Sequence, residues 1–242
     1  MEFISGAVTT QCSSRAHVNQ DKFGGIVIRK PEGKNIEVAL VCDGVSRSFR
    51  SEYASYNTVL YVLQWADAYF RCNDLDSNDC IYHLDAVLKR CNRRLDRFSE
   101  ENSEQDYSCC TVSGLITDGD QIVVFHAGDS RIYEVDISEN KLYMLTQDNI
   151  AEDGHSISMC IGAYDDTELK ISYTTERFNR NGVYILCTDG MYRRTNFKKW
   201  GKYLFSAANR RMLEDQLQQM VKEVQDAGES DDVTALVLIT KD

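Results

Sequence analysis

The sequence is poor in proline and contains no long hydrophobic run. Pro31 is the single proline among 242 residues, so no proline-rich linker divides the chain. The longest apolar stretches, such as residues 38–42, fall far below the roughly 18 residues that a membrane-spanning helix needs. We therefore expect one domain over residues 1–242 and no membrane span.

Basic residues are outnumbered and form no cluster. The 38 Asp and Glu residues against 27 Lys and Arg residues give a net charge of −11. Nucleic acids and anionic membranes are bound mainly through clustered basic side chains. Residues 1–5 also lack the basic and apolar regions of a secretion signal. We therefore predict a cytoplasmic protein with neither nucleic acid nor membrane as a partner, and we expect a monomer.

The nine cysteines are odd in number, irregularly spaced and without a C-x-x-C pair. A free cysteine within an apolar run or a helical pattern behaves as a small buried hydrophobe. Five of the nine have that setting: Cys42, Cys72, Cys91, Cys160 and Cys187. We predict reduced thiols and no zinc site.

Strand-like and helix-like patterns come in blocks rather than in repeated βαβ units. Two strands open the chain, a helix pair follows, two strand pairs come next, and one helix precedes the final strand. The segments are strands at 23–28 and 36–42, helices at 52–70 and 79–98, strands at 110–117, 121–126, 131–135 and 141–146, a polar loop at 147–158, a strand at 183–188, a helix at 207–227 and a strand at 233–239. In the first helix, we expect the buried stripe to include Tyr53, Tyr56, Leu60, Leu63 and Ala66. This order predicts an α+β fold of antiparallel sheet with helices packed outside.

Aspartates adjoin the strand-like runs. Asp43, Asp129 and Asp189 follow their strands, Asp231 precedes one, and Asp21 stands just before the first strand. Carboxylates that converge on one rim of a sheet repel each other unless a cation neutralises them, and a set of hard oxygen ligands suits Mg²⁺ or Mn²⁺. Two such ions roughly 3.5–4 Å apart can share a carboxylate and activate water toward phosphorus.

A plain turn is the alternative for each Asp-Gly pair taken alone. Asp118-Gly119 shows that case, because alternating strands flank it on both sides. Asp43-Gly44 and Asp189-Gly190 have no returning strand pattern behind them. Several such aspartates together favour a shared site.

Five short motifs follow one another along the chain: Asn19-Gln20-Asp21, Val41-Cys42-Asp43-Gly44, Gly128-Asp129-Ser130-Arg131, Cys187-Thr188-Asp189-Gly190 and Asp231-Asp232-Val233-Thr234. In this order they resemble the PP2C (PPM) family of metal-dependent protein serine/threonine phosphatases, in its bacterial form and from end to end. The resemblance implies a four-layer αββα sandwich of two antiparallel sheets flanked by helices. It also implies a phosphoprotein substrate and a centre of two Mn²⁺ or Mg²⁺ ions.

The resemblance also assigns the metal ligands. The residue at the position of Asp43 bridges both ions, and the carbonyl of the residue matching Gly44 binds one of them. The residues matching Asp189 and Asp231 hold the other ion.

Three further positions have roles by the same resemblance. The position of Asp21 acts through metal-bound water. That of Asp129 resembles a ligand of a weaker third metal, shared with Asp189. Arg131 is better interpreted as structural, near the acidic rim.

The chain departs from the family pattern at the positions that would bind phosphate. Ala16 stands where the family usually has an arginine before the first motif, and Arg15 lies one residue earlier. In a strand, a shift of one residue would direct the Arg15 side chain to the opposite face. The residues after Asp43-Gly44 are Val45-Ser46-Arg47 instead of glycines or a histidine. Either Arg15 or Arg47 is therefore the candidate for binding the substrate phosphate. The residue that would act as general acid is unassigned. Residues 148–162 are expected to form a shortened flap.

Three functions are compatible with this set of residues. The leading hypothesis is a phosphatase in which a metal-bridged hydroxide attacks phosphoserine or phosphothreonine in line. The alternative is a PP2C-like binding or sensor module without turnover, suggested by the altered phosphate-binding positions. A two-metal nuclease ranks last because of the net charge of −11.

Overall fold

The computed structural model describes residues 2–10, 18–31, 34–102, 106–165 and 167–241. Ten strands lie in this part of the chain: β1 (Glu2–Thr10), β2 (Lys22–Ile28), β3 (Ile36–Cys42), β4 (Val112–Thr117), β5 (Gln121–Ala127), β6 (Arg131–Asp136), β7 (Lys141–Met144), β8 (Ser172–Arg177), β9 (Gly182–Cys187) and β10 (Val233–Lys241). They form two five-stranded sheets, in the orders β1-β10-β9-β6-β7 and β2-β3-β4-β5-β8. Every neighbouring pair is antiparallel. The predicted antiparallel α+β fold is confirmed.

Five helices are described: α1 (Ser51–Phe70), α2 (Ser77–Asn102), α3 (Asp189–Tyr192), α4 (Phe197–Phe205) and α5 (Arg210–Asp226). Helix α1 packs on β2 and β3 and against α2, whereas α5 packs on β1, and α4 contacts β6 and α5. The sheets face each other between these helical layers, which gives the predicted four-layer αββα sandwich. No helix in the described part of the chain is both long and apolar enough to cross a membrane.

The central strand β3 is apolar at six of its seven positions because both of its faces are covered. In β3, Val38 and Leu40 face the core shared with α1 and α2, whereas Ala39 and Val41 face the core between the two sheets. Successive side chains of a strand point to opposite faces, so a strand buried on both sides has no polar alternation. This explains why the sequence contains continuous apolar stretches such as residues 38–42.

The buried face of α1 differs from the predicted stripe. Among the five residues expected there, only Ala66 is buried, and Tyr56 is 55% exposed. The helix instead packs through smaller residues, including Ala54, Thr58 and Val62. Small side chains allow the helix to lie close to the sheet, and the larger ones flank the contact.

The residues of β1 that face helix α5 are Ile4, Gly6 and Val8. Ile4 and Val8 are buried in the core below α5. A Cβ atom added at Gly6 would lie 3.1 Å from the side chain of Leu213 on α5, so this helix packs directly against the glycine. The glycine interrupts the hydrophobic alternation, which is why the pattern analysis did not predict this strand.

All eight cysteines in the described residues are free thiols, as predicted. Cys42, Cys91, Cys160 and Cys187 are buried, whereas Cys72 is exposed. The prediction of a buried Cys72 is wrong, because this residue lies just beyond the last turn of α1.

Candidate active site

Asp21 and Asp43 come together because they flank a strand pair. Lys22, the first residue of β2, is opposite Cys42, the last residue of β3. The backbone of Asp43 is fixed by Thr111, whose hydroxyl accepts from the Asp43 N–H at 2.9 Å and whose own N–H donates to the Asp43 carbonyl at 2.8 Å. Gly44 follows directly and forms a bridge with Cys110.

Asp189 and Asp231 meet at the corresponding end of the other sheet. Strand β9 ends at Cys187, and β10 begins at Val233, with Cys187 opposite Ala235. The residues that follow β9 and those that precede β10 therefore lie at one edge. Asp189 is buried and Asp231 half-buried there.

Two hydrogen bonds join the two sheet ends. The Thr188 hydroxyl donates to Asp21 Oδ2 at 2.8 Å. The backbone N–H of Gln20 donates to Oδ2 of the buried Asp232 at 2.8 Å. The loop before β2 is thus held against the β9 and β10 ends, close enough for the charges of Asp21, Asp189 and Asp231 to affect one another.

Asp129 lies in the tight loop between β5 and β6. Gly128 has a φ of +118°, and a Cβ atom there would lie 2.6 Å from the Thr111 side chain, so this position requires glycine. Asn149 clamps the loop from the other side. Its side chain accepts from the Gly128 N–H at 2.9 Å, and its N–H donates to the Gly128 carbonyl at 2.7 Å.

Arg131 is anchored beside this loop. Its Nε donates to Asp148 Oδ1 at 2.9 Å and its Nη2 to Asp148 Oδ2 at 2.6 Å, and the guanidinium stacks 3.8 Å from the centre of the Tyr192 ring. The bidentate pair raises the pKa of Arg131 above its usual range. Its interpretation as a structural arginine near the acidic rim agrees with these contacts.

Burial and neighbouring carboxylates raise the pKa of Asp21, Asp43 and Asp189. Burial raises the pKa of Asp43 well above its ordinary value, and the negative charges of Asp21, Asp189, Asp129 and Asp231 raise it further. The pKa of Asp21 and that of Asp189 are each raised to about 7, chiefly by burial and also by neighbouring carboxylates. The five residues therefore form one electrostatic cluster.

A divalent cation fits this cluster by charge and by donor type. Oδ1 of Asp129 and Oδ1 of Asp189 are buried and have no hydrogen-bond partner among the described residues. Buried carboxylate oxygens without donors are suited to hard cations such as Mg²⁺ and Mn²⁺. In the described residues, however, no three Asp, Glu, His or Cys side chains stand together in a geometry that could hold a metal ion. The cluster therefore has the donors of a metal centre but not a ready-made ligand shell.

Residues 9–222 match the family described as protein phosphatase 2C. The match covers well over half of the chain, so it decides the family. The chain belongs to the protein phosphatase 2C family. The predicted family and the predicted class of enzyme, a protein phosphatase, are thereby confirmed. None of the curated protein sequences matches the chain significantly.

Solved bacterial structures share the fold over the whole chain. The serine/threonine phosphatase Stp1 from Staphylococcus aureus has a TM-score of 0.80 at 18% identity, covering 100% of this chain and 96% of that one. PppA, a key regulatory component of T6SS in Pseudomonas aeruginosa, has a TM-score of 0.77 at 17% identity, covering 100% and 99%. The serine/threonine phosphatase PstP/Ppp from Mycobacterium tuberculosis has a TM-score of 0.74 at 16% identity, covering 99% of each chain. At such identities the likeness shows the protein phosphatase 2C fold.

The two predicted phosphate-binding arginines have different outcomes. Arg15 lies outside the described residues. Arg47 is exposed, has a φ of 69°, and makes no hydrogen bond or ion pair with the described part of the chain. Its place three residues after Gly44 keeps it a candidate for binding a phosphate at the rim.

Sequence reasoning missed a cation within the cluster. Arg193 donates from Nη2 to Asp189 Oδ2, and its Nη1 lies 3.3 Å from Asp231 Oδ2. The spacing of four residues between Asp189 and Arg193 was the available signal, because such residues share one helix face. The short helix α3 was not predicted, and the signal therefore went unused.

Proposed function

We propose that this member of the protein phosphatase 2C family hydrolyses phosphoserine and phosphothreonine esters of proteins with bound Mn²⁺ or Mg²⁺. The observation that carries the proposal is the electrostatic cluster of Asp21, Asp43, Asp129, Asp189 and Asp231, whose members come from distant parts of the chain. A set of buried and half-buried carboxylates whose charges repel one another is costly unless cations neutralise it. The structural neighbours Stp1 and PstP/Ppp are serine/threonine phosphatases, which supports the choice of substrate.

Two ions would be held by the cluster. Asp43 would be a ligand to both ions, the Gly44 carbonyl to one, and Asp189 and Asp231 to the other. Asp129 would hold a third. When bound, such ions lower the pKa of coordinated water and neutralise charge on a phosphoryl group.

The protein's own residues position the groups around the substrate. Thr188 orients the Asp21 carboxylate by its hydrogen bond, and Asn149 fixes the loop that carries Asp129. Arg47, exposed beside Gly44, is assigned to the substrate phosphate together with or instead of Arg15. Arginine suits this role because its planar fork donates two parallel hydrogen bonds to phosphate oxygens.

Four further predictions accompany the proposal. Residues 1–242 form one domain, residues 148–162 form a short flap, and the protein is a cytoplasmic monomer. The flap prediction is supported by a compact loop in which Ile150 bridges Ile157 and the Asp153 side chain accepts from two backbone N–H groups. A small flap leaves the rim open to a phosphorylated protein segment.

A module without turnover is the second candidate, and one observation favours it. The pairing of Arg193 with Asp189 and Asp231 supplies a positive charge where the proposal places a metal ion. Such a protein would keep the fold and the acidic cluster without catalysis.

Release of p-nitrophenol from its phosphate ester, and of phosphate from a phosphothreonine peptide, separates the two candidates. We expect turnover of both substrates with Mn²⁺, abolished by EDTA and by Asp43→Asn. Asp226→Asn, an exposed position on α5, is the matched control and should keep activity. Mn²⁺-dependent thermal stabilisation without turnover would support the silent module instead. Full activity of Asp43→Asn would contradict the assigned site.

A further inference from the structure

Arg193 links two acidic residues that belong to different segments. It follows α3 directly, four residues after Asp189, so its side chain returns along the helix to the Asp189 carboxylate. Its Nη1 reaches Asp231, which precedes β10. One guanidinium thus bonds to two carboxylates that are 42 positions apart in the chain.

The positive charge of Arg193 acts on Asp129 as well as on its two ion-pair partners. It lowers the pKa of Asp129 and of Asp189 against the opposing effect of burial. In turn, the negative charges of Asp189, Asp231 and Glu229 raise the pKa of Arg193. Arg193 is therefore the internal counter-ion of the residues assigned above to the second metal ion.

The ion pairs of Arg193 leave two carboxylate oxygens of the cluster without hydrogen-bond partners, and the Arg193 side chain is partly exposed to solvent. Oδ1 of Asp189 and Oδ1 of Asp129 remain buried without a hydrogen-bond partner among the described residues, although Arg193 is close by. The Arg193 side chain is 48% exposed, whereas that of Asp189 is 11% exposed. A flexible side chain with an exposed head can move into water more readily than the buried carboxylate can move away.

We propose that Arg193 is a tethered counter-ion that competes with a divalent metal ion for Asp189 and Asp231 and so sets the metal affinity of this site. This inference rests on the proposed function. Arg193 bonds Oδ2 of both carboxylates, and the partnerless Oδ1 of Asp189 belongs to the same carboxylate, so a metal ion bound there would lie close to the guanidinium charge. Repulsion between the two cations therefore opposes metal binding while the arginine pair is closed. Arg193 is a residue that tunes the site, because it acts through the carboxylates.

The neighbouring Arg194 offers a matched control. It lies one position further along, is 51% exposed in its side chain, and faces Glu229 at 3.7 Å. Its replacement by glutamine removes the same charge from the same segment while leaving the Asp189 and Asp231 pair intact. Arg193→Gln keeps the length of the side chain and some hydrogen bonding but removes its charge.

Isothermal titration calorimetry of the metal-free protein with Mn²⁺ tests the inference without any substrate. We expect Arg193→Gln to bind Mn²⁺ about tenfold or more tightly than wild type, and Arg194→Gln to differ by less than about threefold. Arg193→Lys keeps the charge but loses the planar guanidinium that donates to both carboxylates, so its Mn²⁺ affinity should lie between those of wild type and Arg193→Gln. In EDTA, Arg193→Gln should have a lower melting temperature than Arg194→Gln, and Mn²⁺ should reverse the difference.

The results that overturn the inference are distinct from those that overturn the function. Equal Mn²⁺ affinity of Arg193→Gln and Arg194→Gln, or weaker binding by Arg193→Gln, would overturn the counter-ion role and leave the metal centre in place. Lack of Mn²⁺ binding by wild type and every variant would overturn both proposals. If Arg193→Gln does not fold without metal, Arg193→Lys provides the same comparison against Arg194→Lys.

Discussion

The Thr188 hydroxyl donates a hydrogen bond of 2.8 Å to the Asp21 carboxylate across 167 positions of the chain. Thr188 also accepts from the backbone N–H of Thr234 at 3.2 Å, so its hydroxyl is oriented toward the carboxylate. Asp21 stands before a strand of one sheet, and Thr188 follows a strand of the other. The bond therefore couples the relative position of the two sheets to the geometry of the acidic cluster.

Thr188→Val should destabilise the protein more at pH 8 than at pH 5. The pKa of Asp21 is raised to about 7, so its carboxylate is ionised at pH 8, where a lost hydrogen bond to a charged group costs about 1.5–3 kcal/mol. At pH 5 the group is protonated and less is lost. Urea unfolding in EDTA at both pH values measures the difference.

Thr195→Val is the control for this prediction. The Thr195 hydroxyl donates to the Met191 carbonyl at 2.6 Å, a backbone partner that does not titrate. Its loss should cost the same at both pH values. If Thr188→Val also showed no pH dependence, the hydrogen bond to the ionised Asp21 would not be a stabilising contact.

Arg131→Lys should cost about 1–3 kcal/mol of unfolding free energy, because lysine cannot form the bidentate pair with Asp148 or the stack on Tyr192. Asp148 precedes Asn149, which clamps the loop that carries Asp129. The variant should therefore also weaken Mn²⁺ binding. Arg180→Lys, at an exposed ion pair with Asp120, should change neither quantity by more than experimental error. Equal effects of the two variants would contradict this role of Arg131.

The sequence was most informative where both faces of an element are buried. Strand β3 was predicted with the bounds that it has, because only Glu37, itself buried, interrupts its apolar run. Edge strand β8 was missed, because five of its six residues are exposed and its composition is polar. Helix α4 was also missed: its buried residues recur at helical spacing, but nine residues are fewer than the roughly ten to twelve by which a pattern identifies a helix. Pairing with β5 fixes β8, and packing against β6 and α5 fixes α4, so partners distant in sequence decide these short segments.

For the site, the sequence predicted the carboxylates but not their partners. Aspartates at strand ends could be placed on one rim once antiparallel pairing was assumed, and the structure brings Asp21, Asp43, Asp129, Asp189 and Asp231 into one electrostatic cluster. Their role as metal ligands stays a prediction. The contact of Arg193 with Asp231 depends on how α3 packs against the start of β10. Such packing is not encoded in any local pattern.

Glu37 should make the protein less stable as the pH rises. This carboxyl is 7% exposed on β3, and burial raises its pKa from 4.5 to about 7. The folded state therefore binds the proton more tightly than the unfolded state, so stability is greatest below pH 4.5 and is lost as the pH rises through about 7. The shift corresponds to a loss of about 3 kcal/mol at most.

Glu37→Gln isolates this contribution from that of the acidic cluster. The variant should lose less unfolding free energy than wild type between pH 4 and pH 8, measured by urea denaturation in EDTA. Glu139→Gln, in the exposed turn before β7, should follow the wild-type curve. Parallel curves for wild type and Glu37→Gln would show that the buried carboxyl does not resist ionisation.

Gly190→Ala should destabilise the protein by about 3 kcal/mol or more and abolish Mn²⁺ binding. A Cβ atom at Gly190 would lie 2.1 Å from the carbonyl oxygen of Asp232, a backbone atom that cannot move without β10. Relief of this clash would separate Asp189 from Asp231. Gly25→Ala is the control, because its Cβ atom would lie 3.4 Å from the nearest atom, an ordinary contact. Normal Mn²⁺ affinity in a folded Gly190→Ala protein would mean that Asp189 and Asp231 do not need to stay together, and would remove the main geometric support for a shared metal ion.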